Sequence, residues 1–343
     1  MTRDMIKEAL TKLADGISLT EKEAQEVMLQ IMQGSASESQ IAAYLMALRM
    51  KGETVEEITG SVKAMREMAL RIHVGDPQVV DTCGTGGDRA NTFNISTAAA
   101  FVVAGGGMTV AKHGNRSVSS KSGSADVLSA LGVKIDLSPE RVEACVNEVG
   151  IGFLFAPLYH GAMKHCAKPR ADMGIRTMMN ILGPLSNPAG ATIQVLGVYD
   201  QVLTEKLAQV LIRLGTQHCF VLHGKDGLDE ITLTDFTYVS EGKAGRVSSY
   251  HISPDDFGLK KVSPKELTGG TPEQNAEVID DILKGRRNAK REVVLVNAAP
   301  AFVACGKAKT LREGYERAVE VLDSGAAYEK LERLVTFTNE ESA

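Results

Sequence analysis

The sequence predicts an α/β protein in two parts: a small helical domain, and a large α/β domain built on a mainly parallel central sheet. Three observations predict it. The first seventy residues carry helix-start signals and no strand pattern. From Gln78 onward, short β-branched runs alternate with helical stretches, the pattern of parallel strands joined by crossover helices. At 343 residues the chain is long enough for two domains of unequal size.

Taken in order, Thr20 with Glu23, Ser37 with Gln40, and Thr54 with Glu57 are three capping boxes. In each, a side-chain oxygen and a carboxylate or amide satisfy N–H groups left open at a helix start. After Ser37 the apolar positions Ile41, Tyr44, Leu45 and Leu48 share one helical face. Residues 79–80, 108–111, 133–135, 152–155, 192–198 and 218–222 read as strands. The small-residue run 96–104 reads as a helix, and Pro139 after Ser138 starts another. Residues 160–182 turn helical again and stop at Gly183-Pro184. They are expected to pack back on the first helices, which divides the chain into a discontinuous helical domain (1–72 and 160–186) and a large domain (73–159 and 187–343). Thr271-Pro272-Glu273-Gln274 opens a further capped helix, and the tail from Thr310 is helical.

The composition excludes several function classes. A net charge of -5 argues against general affinity for nucleic-acid backbones. The five cysteines (Cys83, Cys145, Cys166, Cys219, Cys305) are scattered, odd in number and form no CxxC pair. Neither a zinc knuckle nor a disulfide framework is indicated, and reduced thiols in a cytoplasmic protein are expected. The start, MTRDMIKEAL, lacks the apolar core of a signal peptide. No apolar run reaches about 18 residues, so no membrane span is expected.

The segments that carry chemistry follow predicted strands. In the first, Asp81-Thr82-Cys83-Gly84-Thr85-Gly86-Gly87-Asp88, a strand runs into a glycine-rich turn, and Asn94-Ile95-Ser96-Thr97 then opens a helix. Glycines permit close approach to an anion, and free N–H groups at a helix start favour phosphate oxygens. A tight turn with an ordinary N-cap would look the same locally. The segment has neither the Lys-Ser/Thr of a Walker A loop nor the spacing of a dinucleotide turn. A second segment, Lys112-His113-Gly114-Asn115-Arg116-Ser117-Val118-Ser119-Ser120, supplies two cations and several donors at a predicted strand end, with Ser124 close behind. Asp229-Glu230 is an adjacent carboxylate pair of the kind that shares Mg²⁺ with substrate phosphates, although acidic pairs alone are more often surface features. His113, His160 and His165 read equally well as packing or surface histidines.

Together DTCGTGGD, NIST, KHGNR, GIRTMMNILGPLSNP and the stretch QIAAYLMALRMKGET resemble the signatures of the anthranilate phosphoribosyltransferase family, over about residues 5 to 335. The resemblance implies the nucleoside phosphorylase-like phosphoribosyltransferase fold, a cleft between its two domains, and a homodimer formed through the helices. It implies transfer of a phosphoribosyl group from phosphoribosyl pyrophosphate to anthranilate, with Mg²⁺, in tryptophan biosynthesis. Gly84, Gly87, Asp88, Thr92, Asn94, Ser96, Thr97, the residues Lys112 to Ser120 and Ser124 would surround the phosphoribosyl pyrophosphate. Gly84, Asn115 and Arg170 would receive anthranilate, and Ser96, Asp229 and Glu230 would meet the metal. The catalytic base is left unknown, with His113 the nearest candidate. Two departures stand outside the motifs: Gly161, where a proline is common, and Pro300 within an alanine-rich helix. No glutaminase-like region is fused, so a free-standing enzyme is expected. A pyrimidine nucleoside phosphorylase would carry a loop like STGGVGD and an additional C-terminal domain. A nucleic-acid-binding relative would show a basic surface and eroded motifs, and a purely structural helical dimer would leave these loops unexplained.

Overall fold

The structure is a computed structural model and describes residues 4–88, 90–117 and 122–340. Four helices precede the first strand: α1 (Met5–Ala14), α2 (Glu21–Met32), α3 (Glu38–Lys51) and α4 (Val55–Met68). The three expected capping boxes are all formed, with Thr20, Ser37 and Thr54 accepting from the N–H groups of Glu23, Gln40 and Glu57. Glu57 is fully buried and also accepts from Leu19 N and Lys51 Nζ, both at 2.9 Å. One carboxylate thereby ties α4 to the end of α3 and to the connection between α1 and α2, and its charge is matched inside the bundle.

The remaining chain gives β1 (Val79–Gly84), α5 (Ile95–Gly105), β2 (Thr109–Gly114), α6 (Ser124–Ala130), α7 (Pro139–Val149) and β3 (Ile151–Phe155). Then come α8 (Ala156–Tyr159), α9 (Lys164–Met173), α10 (Met179–Leu182), β4 (Ile193–Gly197), α11 (Leu203–Arg213) and β5 (His218–Gly224). The hairpin β6 (Thr237–Lys243) and β7 (Arg246–Ile252) precedes α12 (Pro272–Leu283), α13 (Ala289–Ala304), α14 (Leu311–Asp323) and α15 (Ala326–Asn339). The seven strands lie in the order β3-β2-β1-β4-β5-β6-β7, parallel as far as β5 and antiparallel beyond it. α9 packs on α2 and α3, and α10 on α4.

The sheet is covered on both faces, and alternate residues of β5 show how. Phe220 and Leu222 join the core beneath α5, α12, α13 and α15. Cys219 and Val221 join the opposite core, which holds α11, the N-terminal helices and α10. α5, which follows β1, and α11, which follows β4, therefore lie on opposite faces. The strand order reverses between β1 and β4, the place where, in open α/β sheets, a ligand crevice lies at the carboxyl ends of the strands. α5 is apolar on every side and buried along its length, as a helix clamped between a sheet and other helices must be.

Two sequence expectations change. Residues 133–135 pair with no strand, because Val133 and Ile135 bury their side chains in the core from irregular chain between α6 and α7. The β6–β7 hairpin is an addition to the strands expected from the sequence. Its turn puts Ala244 at φ 49° and Gly245 at φ 78°. Two consecutive positive φ values match the twist of a hairpin, but alanine replaces the asparagine or glycine that would signal it. No helix among the described residues is long and apolar enough to cross a membrane.

Candidate active site

β1 and β2 are parallel neighbours, so the glycine turn and the loop after Gly114 leave the sheet at the same edge. Gly84 and Gly197 face each other at the ends of β1 and β4, and Asp229 crosses between them. A Cβ on Gly84 would stand 2.5 Å from Asp229 Oδ2, and one on Gly197 only 1.5 Å from the Asp229 carbonyl oxygen. Gly86 and Gly87 follow at φ +66° and +76°, where side chains with a Cβ are disfavoured. Gly86 N donates to Asp229 Oδ2 at 2.8 Å, and Ser96 N, in the first turn of α5, donates to Glu230 Oε1 at 3.1 Å. Lys112 reaches across from β2, placing Nζ 2.5 Å from Thr82 O and 3.4 Å from Ser96 Oγ. The glycine turn, the start of α5, the buried lysine and the acidic pair thus meet at the crevice.

The electrostatics of this cluster are dominated by burial. Burial, reinforced by Asp88, pushes Asp229 up to about 7, and burial with Asp229 pushes Glu230 well above the usual carboxylate range. Burial also lowers the pKa of Lys112, against the opposing pull of Asp81. Asp81 itself is pushed up to about 6 by burial, although Lys112 and Asn187 favour its charged form. Four carboxylates, Asp81, Asp88, Asp229 and Glu230, against one lysine form a cluster that a divalent cation would return to ordinary ionisation. Among the described residues no three His, Cys, Asp or Glu side chains are grouped closely enough to hold a metal alone. A hard cation here would complete its shell with substrate oxygens and water, as Mg²⁺ commonly does.

The loop after β2 is organised by a residue that sequence reasoning missed. Asp126 accepts from Ser117 N (3.1 Å), Gly123 N (2.9 Å) and Arg116 Nη1 (2.8 Å). Arg116 is therefore paired with Asp126, and its guanidinium lies 5.9 Å from the centre of the Phe155 ring. Asn115 is exposed, and its backbone carbonyl accepts from Ala125 N and Ser124 Oγ. Asn94 joins this loop to α12, since its amide donates to Ser122 O and its Oδ1 accepts from Asn275 Nδ2. Thr92 sits in an isolated bridge with Thr268. Thr97 is buried with Oγ1 unpartnered among the described residues. Val118, Ser119 and Ser120 lie outside the described residues.

Beside the loop, His113 and His160 pack with ring centroids 5.1 Å apart. Burial drives His113 down to about 3, with His160 adding to the effect, and burial alone drives His160 down to about 4. Both rings are neutral at pH 7, which makes His113 a poor source of protons. His113 Nε2 and both nitrogens of His160 have no hydrogen-bond partner among the described residues. Gly161 opens the short turn leading to α9 with nothing within 4 Å of where a Cβ would stand, so this departure costs no packing. Arg170, on α9, is half-buried and has no carboxylate partner among the described residues, and burial lowers its pKa.

Comparison with known proteins fits this geometry. The helical bundle domain of the glycosyl transferase family matches residues 7–69, and that family's a/b domain matches residues 76–328. An anthranilate phosphoribosyltransferase of Symbiobacterium thermophilum is 53% identical, with 97% of this chain and 98% of that protein covered. One from Pelotomaculum thermopropionicum is 55% identical, with 97% of each covered. The chain belongs to the anthranilate phosphoribosyltransferase family. Among solved structures, the anthranilate phosphoribosyltransferase of Thermus thermophilus superposes with a TM-score of 0.92 at 44% identity, covering 97% of this chain and 99% of that one. The Saccharomyces cerevisiae anthranilate phosphoribosyltransferase in complex with PRPP and Mg superposes at 0.88 and 27% identity, covering 98% of both chains.

Several residues that shape this site are not among the site residues expected from the sequence. Asn187 donates to both Asp81 Oδ2 (2.9 Å) and Ala111 O (2.8 Å), linking β1 and β2 beneath the site. Gly197 admits Asp229, a role that appears only when distant segments are brought together, whereas Asp126 holds the second loop through the nearby Arg116, Ser117 and Gly123. Asn187 and Arg176 do lie within the GIRTMMNILGPLSNP run, which is the available signal.

Proposed function

We infer that this chain transfers the phosphoribosyl group of phosphoribosyl pyrophosphate to the amine of anthranilate, giving N-(5-phosphoribosyl)anthranilate and pyrophosphate in tryptophan biosynthesis. The observation that carries this reading is the meeting of the glycine turn, the α5 start, Lys112 and the Asp229-Glu230 pair at one point on the sheet edge. Pyrophosphate leaves the ribose C1 as positive charge grows on the sugar. Lys112 and the N–H groups of the turn stabilise the departing negative charge, which is electrostatic preorganisation.

Ser96, Asp229 and Glu230 would hold Mg²⁺, whose bound charge would neutralise the diphosphate as it departs. The chain's own contribution is to keep the two carboxylates buried and fixed beside Gly86 and Ser96. Gly84, Gly87, Asp88, Thr92, Asn94, Thr97, the loop from Lys112 to Ser120 and Ser124 line the donor side in this reading. Gly84, Asn115 and Arg170 receive anthranilate, with Arg170 facing its carboxylate. Anthranilate's amine is largely unprotonated at pH 7, so attack gains from being held beside C1 rather than from a strong base. The neutral His113–His160 pair suits that role, because it adds no charge next to an aromatic amine.

We also propose that residues 1–72 and 160–186 act as one helical domain, and that the protein works as a cytoplasmic homodimer joined through it. The packing of α9 and α10 on α2, α3 and α4 supports the first statement. Exposed Met46 and Met50 on α3 support the second. The test of the function is a fluorescence assay following anthranilate consumption. Consumption should require both phosphoribosyl pyrophosphate and Mg²⁺, and consumption without the donor would refute the reading.

A further inference from the structure

The connection between α9 and α10 sends Arg176 into the glycine turn. Its guanidinium donates to the Gly87 carbonyl and lies 4.4 Å from the centre of the Tyr199 ring. Tyr199 is itself anchored to this turn, since its N–H donates to Thr85 Oγ1 at 3.1 Å. Arg176 has no carboxylate partner among the described residues, in contrast to Arg116. Its positive charge is thus left facing the turn.

Every peptide bond described is trans, so a carbonyl and the N–H of the same peptide unit point in opposite directions. Fixing the Gly87 carbonyl on Arg176 therefore fixes the Asp88 N–H on the far side of that unit. The N–H groups of Gly87 and Asp88 have no hydrogen-bond partner among the described residues, whereas the two before them are occupied: Thr85 N by Gly197 O and Gly86 N by Asp229 Oδ2. Without the arginine, the flexible Gly86-Gly87 pair could rotate the peptide and present a carbonyl oxygen to an anion. A turn with two glycines needs such an external hold.

We propose that Arg176 is a positioning residue for the diphosphate, holding the Gly87 carbonyl so that the Asp88 N–H faces the leaving group, with Tyr199 fixing the guanidinium plane. The proposal rests on the reading of this edge as the phosphoribosyl pyrophosphate site. It is distinct from the role given to Arg170 on the acceptor side, six residues earlier in the chain.

The test measures donor binding by calorimetry with Mg²⁺, both KM values, and thermal unfolding, for Arg176→Ala, Arg176→Lys, Tyr199→Ala and Tyr199→Phe. Arg176→Ala should weaken donor binding about tenfold to a hundredfold, the loss of one charge-assisted hydrogen bond. KM for anthranilate should stay within about threefold and the unfolding temperature should hold. Arg176→Lys should recover part of the loss, because an ammonium can still donate to the carbonyl. Tyr199→Phe should match the parent, while Tyr199→Ala should weaken donor binding by a few-fold, about the value of a cation–π contact. Donor affinity unchanged in Arg176→Ala would overturn the proposal, and so would equal weakening of both substrates with a lowered unfolding temperature. Failure of the unaltered protein to bind the donor would instead remove the underlying reading of the site, and this proposal with it.

Discussion

The two sides of the crevice are built on opposite principles. On the glycine-turn side several polar groups are already engaged with one another, since Gly86 and Ser96 donate to the acidic pair, Lys112 to Thr82 and Arg116 to Asp126, while the N–H groups of Gly87 and Asp88 stay open among the described residues. On the His113–His160 side the two buried rings are neutral, and His113 Nε2 and both His160 nitrogens are unpartnered among the described residues. The difference teaches what each side can recognise. Dipoles and charges locked in place in advance suit a highly charged anion. A neutral wall suits a flat aromatic acid such as the proposed acceptor.

Removing the central charge of the first side should have the largest effect. Lys112→Met should lower kcat by about 10² to 10³, the scale of losing one preorganised electrostatic contact; a loss below tenfold with both substrates saturating would show that Lys112 serves the fold and not the leaving group. Next comes Arg170, the cation proposed for the acceptor. Arg170→Ala should raise KM for anthranilate about tenfold to a hundredfold and leave that for the donor nearly unchanged. Equal rises would erase the distinction between the two sides.

The histidine wall makes a pH prediction. Folded His113 and His160 titrate at about 3 and about 4, whereas unfolded histidines titrate near pH 6.5. Below about pH 6.5 the unfolded chain takes up protons that the folded protein refuses. The stability these rings provide is complete above that pH and drains away as pH falls toward 4, by at most about 1.4 kcal/mol per pH for each ring. His160→Gln should flatten part of that slope in denaturant titrations from pH 7 to 4.5. An unchanged slope would mean that His160 is not held neutral. The smallest effect is expected away from both sides, at the hairpin edge. Ala244→Gly should stabilise the protein by about 0.5–1 kcal/mol by relieving a positive φ, with both KM values unmoved; any kinetic change would show that the edge strands communicate with the crevice.

How much is legible in the sequence follows from how local each feature is. The capping boxes need only residues three apart, and all three form. The first five strands have apolar runs of their own, and each appears within a few residues of its expected place. The β6–β7 hairpin escapes because its turn carries Ala-Gly and its strands mix serine, glycine and charged residues, a weak signal for a half-exposed edge. Residues 133–135 show the converse error: β-branched residues can bury themselves without pairing. Within the site, the glycine turn, Lys112, Asp229 and Glu230 are readable as chemistry, and the folded sheet makes them neighbours. Asn187 is not readable in that way, because it donates to elements far apart from it in the chain. Asp126, though its partners Arg116, Ser117 and Gly123 are close in sequence, is not readable because no spacing rule marks a carboxylate that collects donors from an irregular loop.

The notch formed by Gly84 and Gly197 has a genetic consequence. Any side chain at Gly197 would collide with the Asp229 backbone and displace the acidic pair, although position 197 carries no functional group. A mutational scan scored by growth without tryptophan would rank Gly197 alongside the motif residues, and an interpreter of that scan alone would mistake a space-keeping residue for a chemical one.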